Sequence, residues 1–135
     1  MGDRALVLLL AFAAGLLLLG AFSWYRRHGG AAPERLDVDA LGLELMVGCC
    51  AFVVFTTPAC RPCKAAIRVV ETAAAKRPGL TEVTTVDAME RSELALRYDV
   101  RSIPTVFLIT ASGHVVHRWK AVPEPTEVDA ALAAM

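Results

Sequence analysis

Net charge is the first thing this chain of 135 residues lacks: 14 basic residues balance 14 acidic ones. Nothing in that balance points to nucleic acid or to a strongly charged partner of either sign. Cysteine is scarce too, with four residues at positions 49, 50, 60 and 63. So few, so clustered, they exclude a secreted disulfide framework, in which bridges staple distant segments of chain. Redox or metal chemistry stays open. The sequence also has no internal repeat, phosphate-binding glycine loop, paired catalytic carboxylates or serine triad, which sets aside nucleotide chemistry and hydrolysis.

A long apolar run occurs at one place. Residues 5–22 read ALVLLLAFAAGLLLLGAF without a charge, and Ser23, Trp24 and Tyr25 carry the run to Arg26. A helix over residues 5–25, rising about 1.5 Å per residue, spans ~30 Å, the thickness of a bilayer core. Trp24 and Tyr25 suit the interfacial belt, and Arg26 and Arg27 can reach the headgroups. The expectation is a retained single-pass anchor over residues 1–27, embedded in the lipid of a cell membrane. A cleaved signal peptide competes, since Ala21 and Ser23 offer small residues at a cleavage site, but its apolar region is usually only about 7–15 residues long. By one positive charge, the flanks lean towards a cytosolic domain: the α-amino group and Arg4 face Arg26, Arg27 and Arg35.

Residues 28–40, with Gly29-Gly30-Ala31-Ala32-Pro33, read as a flexible linker, and residues 41–135 as one compact domain. Cys50 to Thr56 is a continuous apolar run suited to a central strand buried on both faces. After Pro58, residues 60–75 repeat apolar side chains at helical spacing (Ala66, Ile67, Val70, Ala74), closed by Lys76-Arg77-Pro78-Gly79. A second strand is expected at 82–86, a short helix at 90–98, a hairpin from 105–109 and 114–119 turning at Ser112-Gly113, and a final helix at 125–134. The order βαβαββα implies an α/β fold, a central mixed sheet with helices on both faces.

Cys60-Arg61-Pro62-Cys63 falls where the buried strand passes into the helix. Unpaired backbone N–H groups and the positive end of the helix dipole stabilise a thiolate at Cys60. Cys63, one turn on, can attack a mixed disulfide and release the client. Arg61, Lys64 and Arg68 add positive charge along one face, favouring the thiolate and attracting acidic clients, or simply forming a solvated surface. Pro62 fixes φ in the first turn, where its missing N–H is tolerated, and would tune redox poise.

Two segments, FVVFTTPACRPCKAA and YDVRSIPTVFLITASGHVV, resemble the strand, redox loop and helix, and the later strand and hairpin, of the thioredoxin-fold family. The resemblance covers nearly all of residues 45–133. It implies a membrane-anchored, thioredoxin-like thiol–disulfide oxidoreductase, with Cys60 as nucleophile and Cys63 as resolving cysteine. It also implies a cis bond before Pro104 and a client paired to the backbone of Ile103. Protein thiols or disulfides would be the clients, a separate redox partner would recycle the pair, and no cofactor would be needed. Where the family usually has a buried carboxylate this chain has Val54; Thr56 and Ala59 replace the tryptophans flanking the motif, and Val83 stands at the usual lysine. These departures favour a specialised membrane-associated exchanger over a broad-range reductase.

The other candidates read more plainly. Adjacent Cys49 and Cys50 make a strained pair and are expected to be small apolar residues at a strand start. His114 and His117, three apart on a strand, would point to opposite faces and not share a metal. Trp119 and Tyr98 read as packing aromatics, Asp87 as a turn or cap. Two alternatives to exchange remain at this point: copper(I) held by Cys60 and Cys63 as soft ligands, and a scaffold with incidental cysteines.

Overall fold

A computed structural model describes residues 2–28 and 33–135, with side chains over 2–23 and 33–135. The chain divides into two units, residues 1–31 and 32–135. The first is one helix, α1, Gly2–His28. Its stretch Gly2–Ser23 has a mean hydropathy of 2.7 and is long and apolar enough to cross a membrane. Leu8, Leu10, Phe12 and Leu17 stand exposed along it, a surface suited to an apolar solvent such as lipid. The side chains of Trp24, Tyr25, Arg26 and Arg27, and residues 29–32 of the linker expected over 28–40, lie outside the described residues.

The second unit contains β1 (Cys50–Thr56), α2 (Arg61–Ala75), β2 (Thr81–Asp87), α3 (Ser92–Arg97), β3 (Thr105–Thr110), β4 (Val115–Trp119) and α4 (Pro125–Ala133). The sheet runs β2-β1-β3-β4. β1 pairs parallel with β2 and antiparallel with β3, and β3 pairs antiparallel with β4. This is the mixed α/β sheet that the element order implied.

The two-residue period of β1 sorts the core into two layers. Ala51, Val53 and Phe55 pack with Leu94, Tyr98, Phe107 and Ile109 on the α3 side. Cys50, Phe52 and Val54 pack with Ala66, Val70, Trp119, Val128 and Leu132 on the side of α2 and α4. Ala51 through Phe55 are fully buried, which explains why the strand carries no polar alternation. Phe52 and Phe55 each contribute about 2–3 kcal/mol through the apolar area they remove from water.

The packed unit begins earlier than Leu41. Glu34 accepts a backbone bond from Val115, and Leu36 donates one to the Gly113 carbonyl. Leu36 and Leu43 are buried against the α3 layer, and the Asp37 N–H donates to the Tyr98 hydroxyl at 2.8 Å. Gly113 has φ +84°, and a Cβ there would collide with the Leu36 carbonyl, so this turn requires glycine. Residues 34–45 thus form a strap over one face of the sheet, not part of a linker. Its partners are far away in sequence, which is why composition alone read residues 33–40 as tether.

Two smaller differences concern the ends of elements. Residues 88–91 turn before α3 because the Asp87 carboxylate accepts from the N–H groups of Met89 and Glu90. A bulge between β3 and β4 at Leu108/Ile109 leaves both Val116 and His117 exposed, so strict alternation does not describe β4. His114 precedes that strand and bridges Arg35.

Candidate active site

β1 ends at Thr56, and the chain turns through Thr57, Pro58 and Ala59, where the Cys60 N–H donates to the Thr57 carbonyl at 3.2 Å. Cys60 is the N-cap of α2, with extended backbone at φ −89° and ψ 107°. Its Sγ accepts the Cys63 N–H at 3.2 Å. A cysteine sulfur therefore occupies the place a serine or aspartate oxygen takes in ordinary caps. An N–H directed at sulfur, at the positive end of a fifteen-residue helix, favours negative charge there.

Cys60 and Cys63 are joined as a disulfide, their Cα atoms 5.3 Å apart. The two sulfurs are unequal in access: Cys60 is half-buried and Cys63 is 1% exposed. From solvent, Cys60 is the more accessible of the two. Arg61 and Pro62 lie on the exposed side of the first turn, with Pro62 within the first two helical positions, where its missing N–H removes no helical bond.

The sheet brings a second segment to the same end. Phe55 pairs with Thr105, so Ile103 and Pro104 stand just past the strand end that leads into the redox loop. The Ile103–Pro104 bond is cis, as the resemblance implied. Pro104 is buried and Ile103 half-buried. The Thr105 hydroxyl donates to the Ser102 carbonyl at 2.7 Å, and the Ser102 hydroxyl donates to the Lys120 carbonyl at 3.1 Å. These bonds tie the loop before Pro104 to the end of β4.

On β1, Val54 is fully buried within the layer that faces α2 and α4, so that position of the strand carries no ionisable group. Among the described residues no three His, Cys, Asp or Glu side chains gather as a metal site. A copper(I) reading would rest on the two sulfurs of the pair alone, and these are bonded to each other.

Other sequence candidates fall into structural places. Trp119 packs on Phe52, with ring centroids 6.4 Å apart, and against His117 at 4.2 Å; Tyr98 packs edge-on to Phe55. The sequence gives no signal for Arg118, whose guanidinium lies 5.2 Å over the Phe107 ring and donates to the Asp99 carbonyl. Burial pushes its pKa below the ordinary arginine value, opposed by the Asp99 charge. The Arg101 guanidinium, hydrogen-bonded to Asp99, in turn holds that carboxyl below its usual range.

A mixed sheet with a capped, unequally exposed cysteine pair at a helix start and a cis-proline segment at the same end defines a thioredoxin-like domain. The Thioredoxin family model matches residues 49–133. Thioredoxin of Synechocystis sp. is 32% identical over 100 residues, 71% of this chain and 90% of that protein. Thioredoxin of Methanocaldococcus jannaschii is 38% identical over 55 residues, 41% of this chain; the match spans 65% of that relative, just under two thirds of its length. The solution structure of reduced desulfothioredoxin from Desulfovibrio vulgaris Hildenborough superposes with a TM-score of 0.57 at 26% identity, covering 70% of this chain and 85% of that one. The chain belongs to the thioredoxin family.

Proposed function

We propose that the protein is a thiol–disulfide oxidoreductase that exchanges disulfides with protein clients, Cys60 attacking and Cys63 resolving. The observation that carries the reading is the Cys60 sulfur capping α2 while bonded to the buried Cys63. In the reducing direction the Cys60 thiolate attacks a client disulfide, one client sulfur leaves as thiolate and takes a proton, and a mixed disulfide forms. The Cys63 thiolate then attacks Cys60 and expels the second client sulfur. Two electrons pass to the client, and the Cys60–Cys63 disulfide remains for a redox partner to reduce. The reverse sequence oxidises a client dithiol.

Ile103 and Pro104, at the same end of the sheet, serve in this reading as the segment along which an extended client pairs. Arg61 and Pro62 tune the pair through charge and a fixed first turn. The helix α1 serves as a single-pass membrane anchor in contact with lipid, with the domain leaning to the cytosolic side. Labelling engineered single cysteines in intact cells with a membrane-impermeant maleimide checks that side; ready labelling of the domain from outside reverses it.

Trapping tests the mechanism. With Cys63→Ser, clients accumulate as adducts that a reductant releases, because nothing nearby resolves them; with Cys60→Ser, adducts are few. Equal trapping by both variants refutes the assigned roles.

A further inference from the structure

Most cations of the domain are engaged by the fold. Lys76, Arg91, Arg97 and Arg101 form ion pairs with Asp129, Glu93, Asp37 and Asp99. Arg35, Arg77 and Arg118 donate to backbone carbonyls. Among the described residues of the domain, four cations have neither kind of partner: Arg61, Lys64, Arg68 and Lys120.

Those four are not scattered. Arg61, Lys64 and Arg68 follow the i, i+3, i+7 spacing of one helix face. They are exposed, on the side of α2 opposite Cys63, Ala66 and Val70, which are buried. Lys120 is exposed and adjoins the other flank of the site, where its carbonyl holds Ser102 just before Ile103. Of the acids nearby, Glu71, the one carboxylate on α2, forms no ion pair with Arg68, and Asp99, whose carboxyl the Lys120 charge helps to hold down, is paired with Arg101. Cations left without partners on both flanks of a nucleophile are positioned to meet charge on whatever docks there.

Resting on the exchange reading above, we propose that the clients of this site are proteins whose reactive disulfide is set among aspartate and glutamate side chains, received by Lys64 and Arg68 on one flank and Lys120 on the other. Opposite charge steers the encounter and holds the client while the sulfurs exchange. The chemistry is unchanged: the client disulfide gains the two electrons that the Cys60–Cys63 dithiol loses.

The test uses the full chain, reduced, in neutral detergent micelles, and three cyclic peptides closed by one disulfide and flanked by Asp, Ser or Lys. At low salt the Asp peptide is reduced on the order of tenfold faster than the Lys peptide. At about 0.5 M salt, where the Debye length shrinks to a few ångströms, the gap closes. With each rate taken relative to that of the Ser peptide on the same protein, the double variant Lys64→Glu, Arg68→Glu inverts the order of the Asp and Lys peptides. Equal rates for the three peptides, or an order the double variant does not change, overturn the inference while reduction of the Ser peptide leaves the exchange reading standing. Failure to reduce any of the three removes both.

Discussion

β1 has a pair of cysteines at each end, and the two pairs meet opposite backbone groups. At its start, Cys49 and Cys50 donate their S–H groups to the carbonyls of Gly79 and Leu80, each at 3.6 Å. Only a protonated thiol can make such a bond. Past its end, Cys60 accepts an N–H, a bond that strengthens when the sulfur is negative. The strand is common to both pairs, so the difference lies in the backbone beside each. A helix start presents donors, whereas the β2 side of the strand's beginning presents carbonyls.

The largest effect that would break this contrast is in exchange itself. Cys60→Ser is expected to lower the rate of insulin reduction on the order of a thousandfold, by replacing the thiolate with a hydroxyl of little nucleophilicity at neutral pH. Replacing Cys49 and Cys50 together by Ala is expected to leave it within about twofold. A large loss from the second change would give the first pair a step in the cycle.

Reactivity sharpens the comparison at intermediate scale. In the reduced protein at pH about 6, iodoacetamide is expected to modify Cys60 on the order of tenfold or more faster than Cys49, with Cys50 shielded while the fold persists. Peptide mapping by mass spectrometry reads all three sites. Modification of Cys49 at the rate of Cys60 would remove the distinction drawn from donors and acceptors.

The smallest effect separates the first pair internally. Cys50 is 3% exposed within the α2 layer, so Cys50→Ala is expected to cost about 1–2 kcal/mol in denaturant unfolding, through lost packing and a lost polar contact. Half-exposed Cys49 is expected to change stability by no more than about 0.5 kcal/mol on the same substitution.

How much of this the sequence discloses depends on how local each cause is. β1 and α2 were legible because their signals are local: an unbroken apolar run, a proline stop, a helical repeat of small apolar residues. The redox pair was legible because its spacing and its place at a strand–helix junction both lie within a few residues. The strap was not, since Leu36 and Asp37 find their partners at Gly113 and Tyr98, and nothing within residues 34–40 announces those contacts. Arg118 was hidden for the same reason, because a cation over Phe107 is a tertiary accident of two adjacent strands. The bulge in β4 was unreadable because an alternating pattern gives no sign of the one extra residue that breaks it.

The strap also sets where the redox domain may be separated from α1. Beginning the chain at Leu41 would leave the Gly113 carbonyl without the Leu36 N–H and the Tyr98 hydroxyl without the Asp37 N–H, and would take Leu36 out of the buried cluster that holds Phe55 and Phe107, inviting aggregation before any loss of chemistry is measured. A cut ahead of Pro33 keeps every one of those contacts. The span from Pro33 to Leu41 is therefore the domain's own outer wall, and a soluble form has to carry it.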